Sequence, residues 1–158
     1  MEKFDFIEMT IPSKADYIGV VRLSLSGIAN RIGFSFEDIE DLKVAVSEAI
    51  TNAVTHAYDE EDKGEITIGF GVYDDRLEVM VADSGVSFNV DEVRRRVGPY
   101  EKSKPLEDIQ EGGFGLFLID ALMDEVEIHD NSGIIIIMTK FINETGVDLD
   151  GDQISTTS

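Results

Sequence analysis

"VSEAITNAVTHAY", residues 46–58, sets Glu48, Asn52 and His56 four residues apart among alanines, valines and an isoleucine. At about 100° per residue, a helix with Glu48 at 0° carries Asn52 near 40° and His56 near 80°. Leu42, Val46, Ala49 and Ala53 fall at roughly 100–160° on the same wheel. The run is therefore a helix with a buried stripe, and the polar row borders that stripe instead of opposing it. A row so placed lines a cleft between the helix and whatever packs beside it. Singly, each residue has an ordinary explanation: a solvated acid, an amide that satisfies backbone, an imidazole at a helix C-terminus where the dipole favours it.

Outward from this helix the pattern predicts the remaining elements. Ser35 with Asp38 three residues on is a start signal, and the helix is expected to run to about Tyr58. Ser13 with Asp16 gives the same signal for an earlier helix bearing Ile18, Val21, Leu25, Ile28 and Ile32, with Gly33 as its stop. "FDFIEMTI" (4–11), ended by Pro12, reads as a first strand. "EITIGFGVY" (65–73) alternates Ile66, Ile68, Phe70 and Val72, which predicts a half-buried strand. Asp74-Asp75 joins it to "RLEVMVAD" (76–83). "FGLFLIDALMD" (114–124) is a helix. "EVEIHD" (125–130), a turn at Asn131-Ser132-Gly133 and "IIIIMTKFI" (134–142) form a closing hairpin. The order β-α-α-β-β-loop-α-β-β predicts an α/β two-layer sandwich, with a mixed, mostly antiparallel sheet and helices on one face. Residues 1–143 form one domain, and 144–158 read as an acidic, disordered tail.

Composition narrows the function classes. The chain has 158 residues, 33 acids, 13 bases and a formal net charge of −20. That charge opposes general binding to nucleic acid. It suits solubility or a basic protein partner. There is no cysteine, which excludes disulfides and thiolate zinc sites. No apolar run approaches the roughly 18–20 residues of a membrane span. No export signal is recognised either, so the expected location is the cytoplasm.

Two glycine motifs give the polar row a chemical context. "VADSGVSF" (81–88) puts Asp83 at a strand end, with Gly85 two residues on. A carboxylate only accepts hydrogen bonds, so it suits the exocyclic amine of adenine, and Gly85 lets backbone turn close to a flat ring. A plain turn is the alternative. "EGGFGLFLI" (111–119) puts Gly112, Gly113 and Gly115 at the start of a helix, where free N–H groups and the dipole favour phosphate. A hinge with close helix packing is the alternative there. No Gly-Lys-Ser/Thr follows, so this is not a Walker loop, and the motifs of the common protein-kinase fold are absent. "RRR" (94–96), with Lys102 and Lys104, is either a solvated charge run or a cationic lid over a triphosphate.

Glu48-x-x-x-Asn52, Asp83-x-Gly85 and Gly113-x-Gly115, in this order, resemble the GHKL ATP-binding superfamily. With "VSEAITNAVTHAY", "DSGVSF" and "GGFGLFLI", the chain looks most like the bacterial anti-sigma-factor serine kinases of the general stress response, which restrain sigma-B. The resemblance covers about residues 5–142. It implies that Asn52 coordinates Mg²⁺ bridging the ATP phosphates and that Glu48 is the general base for the attacking serine. It implies that Asp83 binds the adenine amine, that Gly85 shapes that wall, and that Gly113 and Gly115 hinge the lid and donate to phosphate. Thr139 would support a water-mediated contact to adenine. Ser87 departs from the family pattern, since many relatives carry a second glycine there. The implied partners are a sigma factor of the sigma-B type and an anti-anti-sigma protein substrate, with a homodimer as the typical assembly. The other readings are a non-catalytic sequestering module that uses ATP as a structural ligand, and another GHKL ATPase or histidine-kinase fragment. A base at position 48 argues against the first, and the short chain against the second.

Overall fold

A computed structural model describes residues 3–56, 64–83, 114–130 and 133–142. Nine elements follow along these segments: β1 (Asp5–Pro12), a 3₁₀ turn (Ala15–Tyr17), α1 (Ile18–Ile32), α2 (Phe36–His56), β2 (Glu65–Val72), β3 (Arg76–Ala82), α3 (Phe114–Leu122), β4 (Glu125–Asp130) and β5 (Ile134–Phe141). The five strands form one sheet in the order β1-β2-β3-β5-β4. Every described pair is antiparallel, so the parallel component expected from sequence is missing from the ladders. The reason is topological. β3 and β4 both run against β5 and hence parallel to each other, joined by a connection that includes α3. β5 then inserts between them, so the parallel pair never shares hydrogen bonds.

One core lies between the sheet and the helices. Val21, Leu25 and Ala29 of α1 and Leu42, Val46, Ala49 and Ile50 of α2 are wholly buried, and they join Ile66, Ile68, Phe70, Leu77, Val79 and Met138 of the sheet. Leu116 and Ile119 of α3 complete it. Each fully buried aliphatic or phenyl side chain contributes about 1.5–3 kcal/mol. α1 stops at Gly33, whose φ of 109° and ψ of 20° lie in the left-handed region and whose N–H reaches the carbonyls of Ala29 and Asn30. The next helix opens as expected, with the Asp38 N–H donating to Ser35 Oγ at 3.1 Å.

Two expectations need correction. Ser13 does not cap α1. Its N–H donates to the Gly64 carbonyl at 3.2 Å, its buried hydroxyl has no partner among the described residues, and the α-helix begins only after the 3₁₀ turn, with Tyr17 as an N-cap that offers no side-chain bond. β2 is not half-buried: Ile66 through Gly71 are all buried. The second face of the sheet has its own small cluster, Met80 and Ile137 with Phe6 and Ile135. The positions of β2 that share this face are the small residues Thr67, Gly69 and Gly71. A Cβ on Gly71 would meet the Tyr73 ring at 3.3 Å, so any larger residue requires that ring to shift by a few tenths of an ångström.

Candidate functional site

α2 carries the polar row as its spacing requires. Glu48 and Asn52 are half-buried, while Ala45, Ala49 and Ala53 beside them are buried. These alanines pack into the core, so the row stands at the edge of the buried stripe. Thr51 and Thr55, on the exposed flank, turn their hydroxyls back to the carbonyls of Ser47 (2.8 Å) and Thr51 (2.9 Å). Asn52 behaves differently: its Nδ2 is buried and has no hydrogen-bond partner among the described residues. An unpaired buried amide costs about 1–3 kcal/mol, so its retention asks for a ligand that satisfies it. His56 is the last residue of α2.

Connectivity brings four predicted positions toward one end of the domain. α2 ends at His56 and the chain re-enters the sheet at Glu65, so the C-terminal half of α2 lies toward the start of β2. The Thr67↔Ala82 pairing puts the far end of β3 at that same edge, and Asp83 follows directly. α3 packs against α2. It ends beside Asp124, whose N–H donates to the Thr139 carbonyl at 2.9 Å, at the other end of the sheet. Its first turn, with Gly115, therefore starts on the Asp83 side. Glu48, Asn52, Asp83 and Gly115 share one end of the two-layer structure.

Asp83 is the most constrained of these. Its N–H donates to the Ile134 carbonyl at 3.3 Å, and its Oδ1 accepts from the Ile134 N–H at 3.1 Å. The carboxylate is half-buried on the helix side of the sheet, by alternation with Val79 and Val81. No cation among the described residues pairs with it. This partnership with Ile134 was missed from sequence, because it depends on the register of two strands 51 positions apart.

Thr139 is not brought to this end. Ile134, Ile136 and Met138 pack into the helix-side core, so Thr139 alternates onto the opposite face, paired with Glu78 on β3 and Glu125 on β4. It also lies five residues along β5 from Ile134, about 16 Å at 3.3 Å per residue. An adenine contact through Thr139 is therefore set aside. The predicted positions Gly85 and Gly113, with Gly112, Ser87, the 94–96 basic run, Lys102, Lys104 and the 144–158 tail, lie outside the described residues.

Among the described residues, the second sheet face holds a carboxyl with altered acidity. Burial pushes the Glu127 carboxyl above the usual carboxylate range, partly offset by His129, whose Nε2 sits 3.1 Å from Oε1; Glu125 and Glu78 raise it further. No helix among the described residues is long and apolar enough to cross a membrane.

The geometry can now be set beside known proteins. Residues 11–140 match the histidine kinase-like ATPase domain. Over 157 residues the chain is 59% identical to a serine-protein kinase RsbW of Oceanobacillus iheyensis, covering 99% of each chain. It is 54% identical to an RsbW of Bacillus cereus over 99% of this chain and 97% of that one. The chain belongs to the RsbW serine-protein kinases, built on the histidine kinase-like ATPase domain. A crystal structure of the RsbU and RsbW domains of a Mycobacterium tuberculosis protein shares the fold, with a TM-score of 0.59 at 21% identity, over 87% of this chain and 32% of that one. The RsbW match runs the full length of the chain, so the α2 row and Asp83 lie within it. The ATPase-domain match also covers Gly85, Gly113 and the basic run.

Proposed function

We propose that the chain is an anti-sigma factor and serine-protein kinase. It holds a stress-response sigma factor of the sigma-B type captive and uses Mg-ATP to phosphorylate a serine of an anti-anti-sigma antagonist. The observation that carries this reading is the α2 row: a carboxylate and, one helical turn on, an amide whose buried nitrogen has no partner among the described residues.

The residues fit the groups that the reaction needs. Asn52 offers an amide oxygen, a suitable hard ligand for Mg²⁺, while its Nδ2, buried and without a hydrogen-bond partner among the described residues, can donate to an acceptor such as a phosphate oxygen. Mg²⁺ supplies charge neutralisation along the phosphates. Asp83 takes the adenine amine with the oxygen that Ile134 leaves over. Gly113 and Gly115 set N–H groups near phosphate at a helix start. Glu48, whose Cβ lies about 5–6 Å from that of a residue one turn away, takes the proton from the serine hydroxyl of the substrate. The serine oxygen then bonds to the γ-phosphorus, the bond from that phosphorus to the β–γ bridging oxygen breaks, and ADP leaves.

Sigma capture uses a surface away from this chemistry. The outward side of α1 has Val20 and Leu23 47% and 77% exposed, beside exposed Arg22, on a helix with no acidic residue. In a chain of net charge −20, that helix offers an apolar, acid-free surface to an apolar-striped partner. The working assembly is a cytoplasmic homodimer. Incubation with γ-labelled ATP, a sigma-B-type factor and its antagonist tests the reading. Label in the antagonist and retention of sigma are expected; sigma retention without any transfer would leave a sequestering module instead of a kinase.

A further inference from the structure

Asp83 and Ile134 do not pair as neighbours in an ordinary antiparallel ladder do. In a hydrogen-bonded pair each residue donates its N–H to the other's carbonyl. Here the Asp83 N–H does reach the Ile134 carbonyl, but the returning Ile134 N–H goes to the Asp83 side chain, Oδ1, at 3.1 Å. The carboxylate has taken the place of its own main-chain carbonyl. Two consequences follow. The side chain is pinned to β5, and its two oxygens become inequivalent: Oδ1 is committed to backbone, and Oδ2 has no donor among the described residues. The donor is itself placed by Gly133, the residue before it, whose φ of 121° suits glycine alone.

We propose that the β4–β5 hairpin, through Gly133 and the Ile134 N–H, positions Asp83 and so sets the base selectivity of the nucleotide site. The inference rests on the reading of Asp83 as the residue that faces the base. A free carboxylate rotates and can meet a base with either oxygen or through water. A carboxylate fixed by the hairpin presents one acceptor in one direction. Adenine offers an amine there and is accepted; guanine and hypoxanthine offer a carbonyl, and two acceptors face each other. Gly133 and Ile134 touch no nucleotide in this scheme. They are positioning residues.

The fixed orientation makes a specific statement about Asp83→Asn. An asparagine there keeps an oxygen for the Ile134 N–H, so its NH₂ turns outward, where it repels an amine and donates to a carbonyl. Dissociation constants for Mg-ATP and Mg-ITP, by calorimetry on the full chain, read this out. Asp83→Asn is expected to weaken ATP on the order of 10–100-fold, as loss of a charge-assisted hydrogen bond does, and to tighten ITP relative to ATP. Gly133→Ala, folded by circular dichroism, is expected to lower the ATP-to-ITP preference at least about fivefold. Ile134→Val, which keeps the amide and trims the side chain, is expected to lower the melting temperature and leave the preference unchanged. An unchanged preference in Asp83→Asn overturns the base reading itself. A collapsed preference in Asp83→Asn with a wild-type preference in folded Gly133→Ala overturns the positioning role alone. Amide exchange at Ile134 decides the matter if Gly133→Ala does not fold. Faster exchange in Asp83→Ala than in wild type supports the bond, and equal protection overturns it.

Discussion

Glu48→Gln takes one charge and one proton acceptor from α2 and little else. The side chain is half-buried at the border of the helix, and it makes no hydrogen bond or ion pair with another described residue. Glutamate and glutamine have nearly the same helix propensity. A change of this kind alters stability by no more than about 0.5 kcal/mol, or about 1–2 °C in melting temperature for a chain of this size. Mg-ATP affinity is expected to hold as well, because a base acts on the serine proton and its contribution appears in the transition state. The chemical step is another matter. General-base assistance is worth about 10²–10⁴-fold, which is about 2.7–5.4 kcal/mol of transition-state stabilisation. The assay is single-turnover transfer, with kinase in excess over the antagonist and saturating Mg-ATP, run beside calorimetry and sigma-retention measurements on the same preparation. The expected variant binds ATP, holds sigma and fails to phosphorylate. Transfer within about threefold of wild type, well below the 10² floor for base catalysis, would refute the base role and leave positioning and electrostatics as the source of rate.

Three further outcomes test other links. Asn52→Ala removes an amide whose buried Nδ2 is unpaired, so the melting temperature without nucleotide should hold or rise while Mg-ATP affinity falls at least tenfold, about 1.4 kcal/mol; calorimetry showing undiminished affinity would count against the metal assignment. Ser35→Ala deletes the acceptor of the Asp38 N–H and should cost about 1 kcal/mol, a fall of about 2–4 °C that a thermal melt resolves. Glu127 binds its proton more tightly in the folded chain than in the unfolded one. Its contribution to stability is therefore full below the ordinary carboxylate pKa near 4.5 and is lost as pH rises through the raised folded value. Urea melts across that window should show wild type losing stability relative to Glu127→Gln as pH rises; parallel profiles would contradict the burial argument.

What could be read from sequence divides along the range of the interaction. The α2 row was legible because the helical period is local: once Leu42, Val46, Ala49 and Ala53 define the buried stripe, Glu48 and Asn52 can only lie at its border, and they do. Gly33 and the Ser35–Asp38 cap were legible for the same reason. Ser13 misled because a capping pattern says only that a cap is chemically available. The Gly64 carbonyl, 51 residues on, took its N–H instead.

The sheet was harder to read because its inner strands β2, β3 and β5 are buried on both faces along much of their length, which removes the alternation that assigns a face. "IIIIMTKFI" offers no period-2 contrast from Ile134 to Met138, so nothing within the run says which way Thr139 points. Only register decides. With Val79 opposite Met138 and Glu78 opposite Thr139, the helix-side core claims Met138 and turns Thr139 onto the opposite face of the sheet. A slip of one residue would exchange the two. The same register that removes Thr139 from the site puts the Ile134 N–H against Asp83. In the proposed site the last strand would thus contribute a backbone group whose position depends on pairing and on the φ of Gly133, and not the side chain that a motif selects. Side-chain motifs name the groups that touch a ligand; the strand register determines which of them are held in place to do so.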